Sequence, residues 1–382
     1  MKIKKLFFVC WLLVMVACSP APQEPLPQQG QDEQVSQNGE VQQDEQDQQV
    51  EETGNGIEIA LVVSHGGIND GSFNQGSWEG MVAFANSHNV SAAHFTPAEF
   101  TDAGYIAAIE LAVQAGANIV LTPGFTFAHA IYSAQDIFPG VYFAIFDELP
   151  SNPQTWEPRI EQNTVAVTYA EEQAGFLAGF AVVMEGHRQL GFIGGMPMPP
   201  VVRFGHGFVL GAEYAATTLG LDPGAVTIMY HYAMTFEPAP EVQTLAAAWF
   251  NAGTEVIFAA AGGAGAAVMA AAEAQDGLVV GVDSDQANDS PTVITSALKG
   301  VAVSVYNILV DYFEGQFPGG TVLTFGADTY GVGLSMETSR FENFTNEQYL
   351  EIFDRITEIP IAVSVDQAAG DIPLIYVTVI VV

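Results

Sequence analysis

Short apolar runs alternate with stretches of helical pattern from residue 57 onward, and this alternation limits the folds open to the chain. The first series has apolar runs at 57–63, 90–95, 118–122 and 141–146, separated by stretches of helical character. Strands linked through helices pair in parallel, because a parallel connection needs a crossover of about a dozen residues. The pattern therefore predicts an α/β fold in which helices cover both faces of a parallel sheet.

The alternation begins again in the second half of the chain, after a run at 165–169 that is predicted to cross between two lobes. Further predicted strands lie at 190–193, 226–230, 255–258 and 278–282. Two such units in succession predict two Rossmann-like lobes joined by a hinge. Ligands of these sheets bind beyond the carboxyl ends of the strands, so an interlobe cleft is the expected binding site.

The limits of the two lobes follow from where each series begins and ends. A strand at 293–295 is predicted to lead into a helix at 298–314, and the apolar, β-rich segment 360–382 has no predicted place in either sheet. The predicted division of the folded part is a first lobe at 57–165 with a return at about 298–335, and a second lobe at 166–297 with the C-terminal segment 336–382.

The N-terminus has the layout of a secretory signal. Three lysines within the first five residues precede an apolar run at 6–16, which is too short to span a bilayer as a helix. The small residues before Cys18 resemble the site at which bacterial lipoproteins are cleaved and lipidated, although an ordinary signal peptide with an incidental cysteine has the same layout. We expect a signal peptide at 1–17, a lipid on Cys18 that anchors the protein to the outer face of the cell membrane, and a disordered tether at 18–56.

Charge and cysteine content exclude several classes of function. Both cysteines, Cys10 and Cys18, lie in the leader, so the folded part has no disulfide and no cysteine metal site. Three of the nine basic residues are leader lysines, which leaves six against 44 acidic residues. Such a surface repels nucleic acid and phosphorylated ligands unless a local basic site opposes it. We expect no nucleic-acid partner, no metal and no cofactor.

Polar and aromatic residues follow several predicted strands, where the cleft is expected. Those in the first lobe are Asp70, Phe73, Asn74 and Asp147, and those in the second lobe are Phe204, Phe208, Gly263 and Asp283. Of Phe204 and Phe208, one ring is expected to face a flat ligand and the other to lie in the core. A polar turn explains the first cluster equally well, and a surface acid explains Asp147.

Lys299 is the only lysine after the leader, and a lone ammonium group in so acidic a chain is expected to have a specific partner. Carboxylates accept hydrogen bonds from vicinal hydroxyls, an ammonium group donates to a hydroxyl or ring oxygen, and phenyl rings stack on a planar group. These residue types together favour a ligand with a flat ring and a polyol, such as a nucleoside. A nucleotide fits less well, because few cations oppose its phosphate.

Several motifs occur in the order found in one known family. They are 69–75 (NDGSFNQ), 171–179 (EEQAGFLAG), 191–196 (GFIGGM), Arg203-Phe204 with Gly207-Phe208, 281–286 (GVDSDQ) and 295–299 (TSALK). From about residue 57 to residue 334 the chain resembles the basic membrane protein family of bacterial lipoproteins, whose characterised members are purine nucleoside receptors of ABC-type importers. The resemblance implies a type I periplasmic-binding-protein fold, with a membrane permease and an ATPase as partners.

The resemblance also implies roles for individual side chains by motif position. Phe73 and Phe204 look like the pair of rings that encloses the base. Asp147, Asp283 and Lys299 look like the ribose contacts. The ligand would bridge both lobes and favour the closed form through its higher affinity for that form.

Four further positions complete the expected pocket. Asp70 and Asn74 would line it, and Gly263 would supply backbone groups. Members of the family commonly have an aspartate at the end of the first strand that recognises the purine edge; here that position, nine residues before Phe73, is Ser64. A neutral hydroxyl lacks the two acceptor oxygens of a carboxylate, so the base preference is open.

Three other functions share part of this pattern. A binding protein of the same fold for another solute, such as a sugar, is favoured by Ser64. A receptor that senses its ligand for a membrane partner, without transport, would have the same fold. An enzyme is not expected, because the chain has no H-E-x-x-H, G-x-S-x-G, C-x-x-C or P-loop motif.

Overall fold

The computed structural model describes residues 56–65 and 67–382. The predicted signal peptide, the predicted lipidation site at Cys18 and nearly all of the predicted tether lie outside these residues. Within the described ranges, no helix combines the length and apolarity needed to cross a membrane. The described chain forms two sheets covered by helices, which confirms the predicted α/β fold with two parallel-sheet domains.

Strands and helices alternate along the described chain. The strands are β1 (Ile59–Val62), β2 (Ala92–Phe95), β3 (Ile119–Pro123), β4 (Tyr142–Phe146), β5 (Thr164–Tyr169), β6 (Gln189–Gly194), β7 (Val226–Tyr232), β8 (Val256–Ala260), β9 (Leu278–Asp283), β10 (Val293–Lys299), β11 (Thr321–Phe325), β12 (Val332–Leu334) and β13 (Val377–Val381). The α-helices are α1 (Phe73–His88), α2 (Asp102–Gln114), α3 (Ala128–Ile137), α4 (Glu171–Glu185), α5 (Pro199–Leu219), α6 (Pro240–Asn251), α7 (Gly265–Gln275), α8 (Val301–Phe313) and α9 (Asn346–Arg355).

The two sheets repeat one folding pattern. The sheet of the first domain has the strand order β11-β5-β4-β3-β1-β2, and all of its neighbours are parallel. The sheet of the second domain has the order β12-β10-β9-β8-β6-β7-β13, in which β12 runs antiparallel to β10. Strands β1 to β5 and β6 to β10 therefore occupy corresponding places. The central strands are buried along their whole length, because helices cover both faces of each sheet.

Helices α4 and α5 of the second domain approach closely because glycines lie at their contact. A Cβ atom at Gly175 of α4 would lie 2.1 Å from the carbonyl oxygen of Phe204 in α5. A Cβ atom at Gly207 of α5 would lie 2.2 Å from the carbonyl oxygen of Glu172 in α4. No larger residue fits without moving backbone, so these motif glycines hold the N-terminal halves of the two helices together.

The chain passes between the two domains three times. It enters the second domain at Ala170, between β5 and α4, returns at Gly300, between β10 and α8, and crosses again at 326–331, between β11 and β12. Backbone hydrogen bonds join neighbouring crossings, from Ala170 N to Phe325 O at 3.0 Å and from Gly300 N to Gly331 O at 2.8 Å. These three bonded crossings form the hinge region.

One strand and the following helix differ from the prediction. The strand predicted to end at residue 295 continues to Lys299 as β10, and α8 begins at Val301 instead of at residue 298. Leu298 is in register with Asp283 of β9, and Lys299 is in register with Val332 of β12. Pairing on both sides outweighs the local helical tendency of this segment, so Lys299 ends a strand.

Two strands lie on the other side of the predicted lobe boundaries. The run at 165–169, predicted to cross between the lobes, pairs with β4 in the first sheet as β5. Strand β12, predicted within the returning part of the first lobe, pairs with β10 in the second sheet. The unplaced C-terminal segment supplies β13, which pairs in parallel with β7 at the edge of the second sheet.

Candidate functional site

A cavity of about 980 Å³ lies between the two domains, beyond the carboxyl ends of the strands. Nine of the ten residues predicted to contact a ligand line it: Ser64, Asp70, Phe73, Asn74, Asp147, Phe204, Gly263, Asp283 and Lys299. Phe208, the tenth predicted contact, is not among the described residues that line the cavity. Phe208 is fully buried, with its ring 5.4 Å from that of Phe258, because it lies on the face of α5 that packs into the core.

The first loop of the site is organised by Asp70. Its carboxylate accepts hydrogen bonds from the backbone N–H groups of Ser72 and Gln75, both at 3.0 Å, and of Asn74 at 3.1 Å. Burial raises the pKa of Asp70, although these three donors act in the opposite direction. Asp70 thus fixes the start of α1, in addition to lining the cavity, and so positions the ring of Phe73.

Ser64 and Asn74 form a neutral pair at one wall of the cavity. The Ser64 hydroxyl donates to Asn74 Oδ1 at 3.2 Å, and Asn74 Nδ2 donates to the carbonyl oxygen of His65 at 2.8 Å. The side chains satisfy one another without a charge. This pair therefore offers hydroxyl and amide groups to a ligand and no charge of its own.

Two acids occupy corresponding strand ends in the two domains. Asp147 follows β4 directly, and Asp283 is the last residue of β9. Both have left-handed backbone, with φ of 71° at Asp147 and 63° at Asp283. Aspartate tolerates this conformation better than most residues with a Cβ atom, but it remains strained, and strained residues cluster at functional sites.

The loop before α1 contacts the second domain directly. The Ser72 hydroxyl donates to Asp283 Oδ2 at 2.5 Å. Ser284 Oγ and Gln286 Nε2 each donate to the carbonyl oxygen of Gly71 at 3.0 Å. Three hydrogen bonds therefore close one side of the cavity. On the side of the second domain, all three contacts come from the motif at 281–286. No role was predicted for its glutamine, Gln286.

Lys299 has a specific partner in the opposite domain. Its Nζ lies 2.7 and 2.9 Å from the two carboxylate oxygens of Asp147, and 3.1 Å from Glu171 Oε1. The lysine side chain is only 2% exposed. Burial by itself would lower the pKa of Lys299, but the nearby carboxylates of Asp147, Glu171 and Asp283 outweigh it, so the pKa lies well above its usual value. Lys299 is therefore a charged ammonium group at any physiological pH.

Three aromatic rings surround the same ammonium group. Lys299 Nζ lies 4.7 Å from the ring centroid of Phe73, 5.0 Å from that of Tyr169 and 5.5 Å from that of Phe204. The distances are those of cation–π contacts. Phe73 and Phe204, the two rings predicted to enclose a planar group, thus border one part of the cavity beside the charged groups.

Glu171 and Arg203 belong to this cluster, although neither was predicted to be in the site. Glu171 is fully buried, and its Oε2 accepts from Arg203 Nε at 2.6 Å. Glu171 is the first residue of α4, where acids are common for local reasons, and this hid its role. The rarity of arginine after the leader was the available signal for Arg203.

Charge in the cluster is unequal, since three carboxylates face two cations. The carboxylates are those of Asp147, Glu171 and Asp283, and the cations are Lys299 and Arg203. Burial raises the pKa of Asp147 to about 7, against the attraction of Lys299. Burial likewise raises the pKa of Asp283.

The remainder of the cavity wall is largely apolar. It includes Phe125, Met196, Met198, Met234, Phe236 and Met269. Among the described residues that line the cavity, Lys299 is the only Lys or Arg, whereas six carboxylates are present: Asp70, Asp147, Glu237, Glu273, Asp283 and Asp289. In the described part of the chain, no group of three or more His, Cys, Asp and Glu residues is arranged to hold a metal ion. The wall suits an uncharged amphipathic molecule.

Comparison with known proteins agrees with this geometry. Residues 57–365 match the model of the Bmp family, described as "ABC transporter substrate-binding protein PnrA-like". The "ABC transporter nucleoside-binding protein BmpA" of Lactococcus lactis subsp. cremoris (strain MG1363) is 29% identical over 329 residues, which cover 80% of this chain and 89% of that protein. The "CD4+ T-cell-stimulating antigen" of Listeria monocytogenes serovar 1/2a is 30% identical over 298 residues, which cover 72% of this chain and 79% of that protein.

A solved structure gives the same fold. The crystal structure of an ABC transporter system solute-binding protein from Aeropyrum pernix K1 superposes with a TM-score of 0.63 at 25% identity, and the match covers 79% of this chain and 86% of that chain. Two parallel-sheet domains with an amphipathic cavity between them fit the class of solute-binding proteins. The chain belongs to the Bmp family of PnrA-like substrate-binding proteins of ABC transporters, which confirms the resemblance found in the motifs. This is a family of binding proteins rather than of enzymes.

Proposed function

We propose that the protein captures a nucleoside in the cavity between its domains and delivers it to the permease and ATPase of an ABC importer. The observation that carries the proposal is the polar end of the cavity. There the carboxylates of Asp147 and Asp283 and the ammonium group of Lys299 lie beside the rings of Phe73 and Phe204. The name of the Lactococcus lactis relative, a nucleoside-binding protein, supports the same ligand class.

The charged groups suit the ribose of such a ligand. A carboxylate accepts hydrogen bonds from vicinal hydroxyls, and each of these bonds is strengthened by the charge. Asp147 and Asp283 come from opposite domains, so a diol bound by both would hold the domains together. Lys299 would donate to a ribose oxygen, at the cost of loosening one of its contacts to Asp147.

The apolar wall and the two phenyl rings suit the base. A planar ring gains stacking and burial energy from Phe73 and Phe204, and the methionines adapt to its shape. The six carboxylates around the cavity would repel a phosphate, so the free nucleoside is favoured over the nucleotide.

A neutral solute of another kind, such as a sugar, is the second candidate, and Ser64 is the observation that favours it. The Ser64 hydroxyl is paired with Asn74, so the side chain at the end of the first strand is not a charged acceptor for the N–H groups of a purine edge. For the nucleoside proposal, the same feature implies that hydroxyl and amide groups read the base. A sensor without transport would bind the same ligand, and adjacent permease and ATPase genes separate the two functions.

The N-terminal segment sets where this capture would occur. A signal peptide at 1–17 would export the chain, and lipidation of Cys18 would hold it at the extracytoplasmic face of the cell membrane. The polar segment that follows would act as a tether. Metabolic labelling with a fatty acid tests the anchor: label on the wild type and none on Cys18→Ala supports it, and label on neither refutes it.

A thermal-shift screen tests the ligand class. The full chain is heated with nucleosides, free bases, nucleoside 5′-monophosphates and common sugars. A ligand at a hundred times its dissociation constant stabilises the folded state by about 2.7 kcal/mol, which raises the melting temperature visibly. Stabilisation by nucleosides and none by their monophosphates is expected. Stabilisation by sugars alone would refute the nucleoside as the ligand, while the conclusions about fold and family would stand.

A further inference from the structure

Two of the three crossings between the domains have a charged cluster residue at their ends. Glu171 is the first residue after the first crossing, and Lys299 is the last residue before the second crossing. Their charged groups lie 3.1 Å apart, although the residues are far apart in sequence. The ion pair between Glu171 and Lys299 therefore joins the ends of two crossings, in addition to the backbone hydrogen bonds between crossings.

Glu171 is held from its other side by Arg203. Arg203 Nε lies 2.6 Å from Glu171 Oε2, while Lys299 lies next to Oε1. Arg203 and Lys299 each hold one oxygen of a fully buried carboxylate, which would be strongly destabilising without a partner. The close packing of α4 on α5, imposed by Gly175 and Gly207, brings Glu171 and Arg203 together. Gly175 and Glu171, which lie in the same motif, thus both contribute to the contact between Glu171 and Arg203.

The position of the Lys299 ammonium group depends on this arrangement. On one side it binds Asp147 of the first domain, and on the other side it faces Glu171. The rings of Phe73 and Phe204 lie within 5.5 Å of the same group. Without Glu171, only Asp147 would hold the ammonium group by an ion pair, and the lysine would shift toward the first domain.

We infer that Glu171 is a positioning residue for ligand capture: with Arg203 behind it, Glu171 holds the Lys299 ammonium group between Asp147 and the paired rings. This inference rests on the proposed function, since the captured ligand is the one that the polar end of the cavity would bind. It adds a residue that does not line the cavity and that acts through Lys299.

Calorimetry with the nucleoside that stabilises the full chain most tests the effect on capture. Glu171→Gln keeps the shape of the side chain and removes its charge, and we expect binding to weaken about tenfold because Lys299 loses the carboxylate that holds it from the second domain. Glu171→Asp keeps the charge but withdraws it by one methylene, and we expect a smaller loss. Glu172→Gln is the matched control, since Glu172 is the next residue of the helix and lies 3.9 Å from Arg203 Nε; its affinity should equal that of the wild type.

A second measurement reports on the ammonium group without any ligand. In the full chain labelled with [15N]lysine, the buried Nζ of Lys299 gives a signal that is assigned by its loss in Lys299→Arg. We expect Glu171→Gln to shift this signal and Glu172→Gln to leave it in place. Wild-type affinity in Glu171→Gln, or an unmoved signal in both Glu171 variants, would overturn the inference. If the wild type binds no nucleoside, the proposed function fails, while the signal still shows whether Glu171 positions Lys299.

Discussion

The two domains share one folding pattern but stabilise the acid at the same strand end in different ways. Asp147 of the first domain and Asp283 of the second both have left-handed backbone beyond corresponding strands. Asp147 binds the Lys299 ammonium group of the opposite sheet at 2.7 Å, whereas Asp283 accepts from the Ser72 hydroxyl of the opposite domain at 2.5 Å. One acid is neutralised by a cation, and the other is only hydrogen-bonded.

This difference separates two tasks within one cavity. The ion pair of Asp147 is part of a buried cluster at the hinge, so its loss should be felt mainly in folding. No cation lies within ion-pair distance of Asp283 in the described chain, so its carboxylate is the less engaged of the two proposed ligand contacts. Both acids remain proposed contacts for the ligand, but Asp147 has the larger structural part because it is ion-paired inside the buried cluster.

The largest effect on stability is expected when the ammonium group of Lys299 is removed. Lys299→Met leaves Asp147 and Glu171 facing each other in a buried site, and we expect the free energy of unfolding to fall by about 3 to 5 kcal/mol. Chemical denaturation of the ligand-free protein measures it. If Lys299→Met lowers the free energy of unfolding no more than Ser72→Ala does, the ion pair of Asp147 stabilises the fold no more than the hydrogen bond of Asp283.

The next effect is a pH dependence. The pKa of Asp147 is about 7 in the folded protein against 3.8 in a free side chain, so the folded state binds a proton that the unfolded state releases. Asp147 therefore favours folding below pH 4, and this contribution is lost as pH rises through 7. The groups that face it are Lys299, Glu171 and Asp283.

Denaturation at a series of pH values measures this dependence as a difference between variants. Between pH 4 and pH 7.5, the wild type should lose more stability than Asp147→Asn, which has no proton to release at this position. Parallel pH profiles for the two proteins would mean that Lys299 keeps Asp147 ionised throughout the range.

A smaller effect is expected on the other side of the cavity. Ser72→Ala removes the hydroxyl that donates to Asp283, and we expect a loss of about 1.5 kcal/mol in unfolding free energy, as for one hydrogen bond to a charged group. Ser284→Ala is the matched control because it removes a neutral bond to the Gly71 carbonyl, which should cost about 1 kcal/mol or less. A larger loss in the control would contradict the role given to Asp283.

Local pattern predicted most of the fold but failed where distant strands compete with local tendency. Nine of ten predicted strands lie within two residues of the observed bounds, since apolar runs buried on both faces leave a clear trace. The segment before Lys299 has helical residues, and only its pairing with β9 and β12 makes it a strand. The edge strand β13 could not be placed, because its partner β7 lies about 150 positions earlier.

The candidate site shows the same limit. Residues directly after strands, such as Asp147 and Asp283, could be found because strand ends meet at one edge of a sheet. Phe204 and Phe208 both lie near Phe258, and only the position of the cavity shows that Phe204 borders it and Phe208 does not. The pairing of Glu171 with Lys299 depends on two crossings lying side by side, and no local motif contains that information.

Calorimetric titration with a ribonucleoside and its 2′,3′-dideoxy analogue tests most directly whether the acids of the cleft recognise a vicinal diol. The two ligands share the base and differ only in the hydroxyls that Asp147 and Asp283 would accept. We expect the dideoxy analogue to bind about a hundredfold more weakly, which corresponds to about 2.7 kcal/mol for two charge-assisted hydrogen bonds. Equal affinity for the two ligands would contradict the account, because the two carboxylates would then have no part in capture.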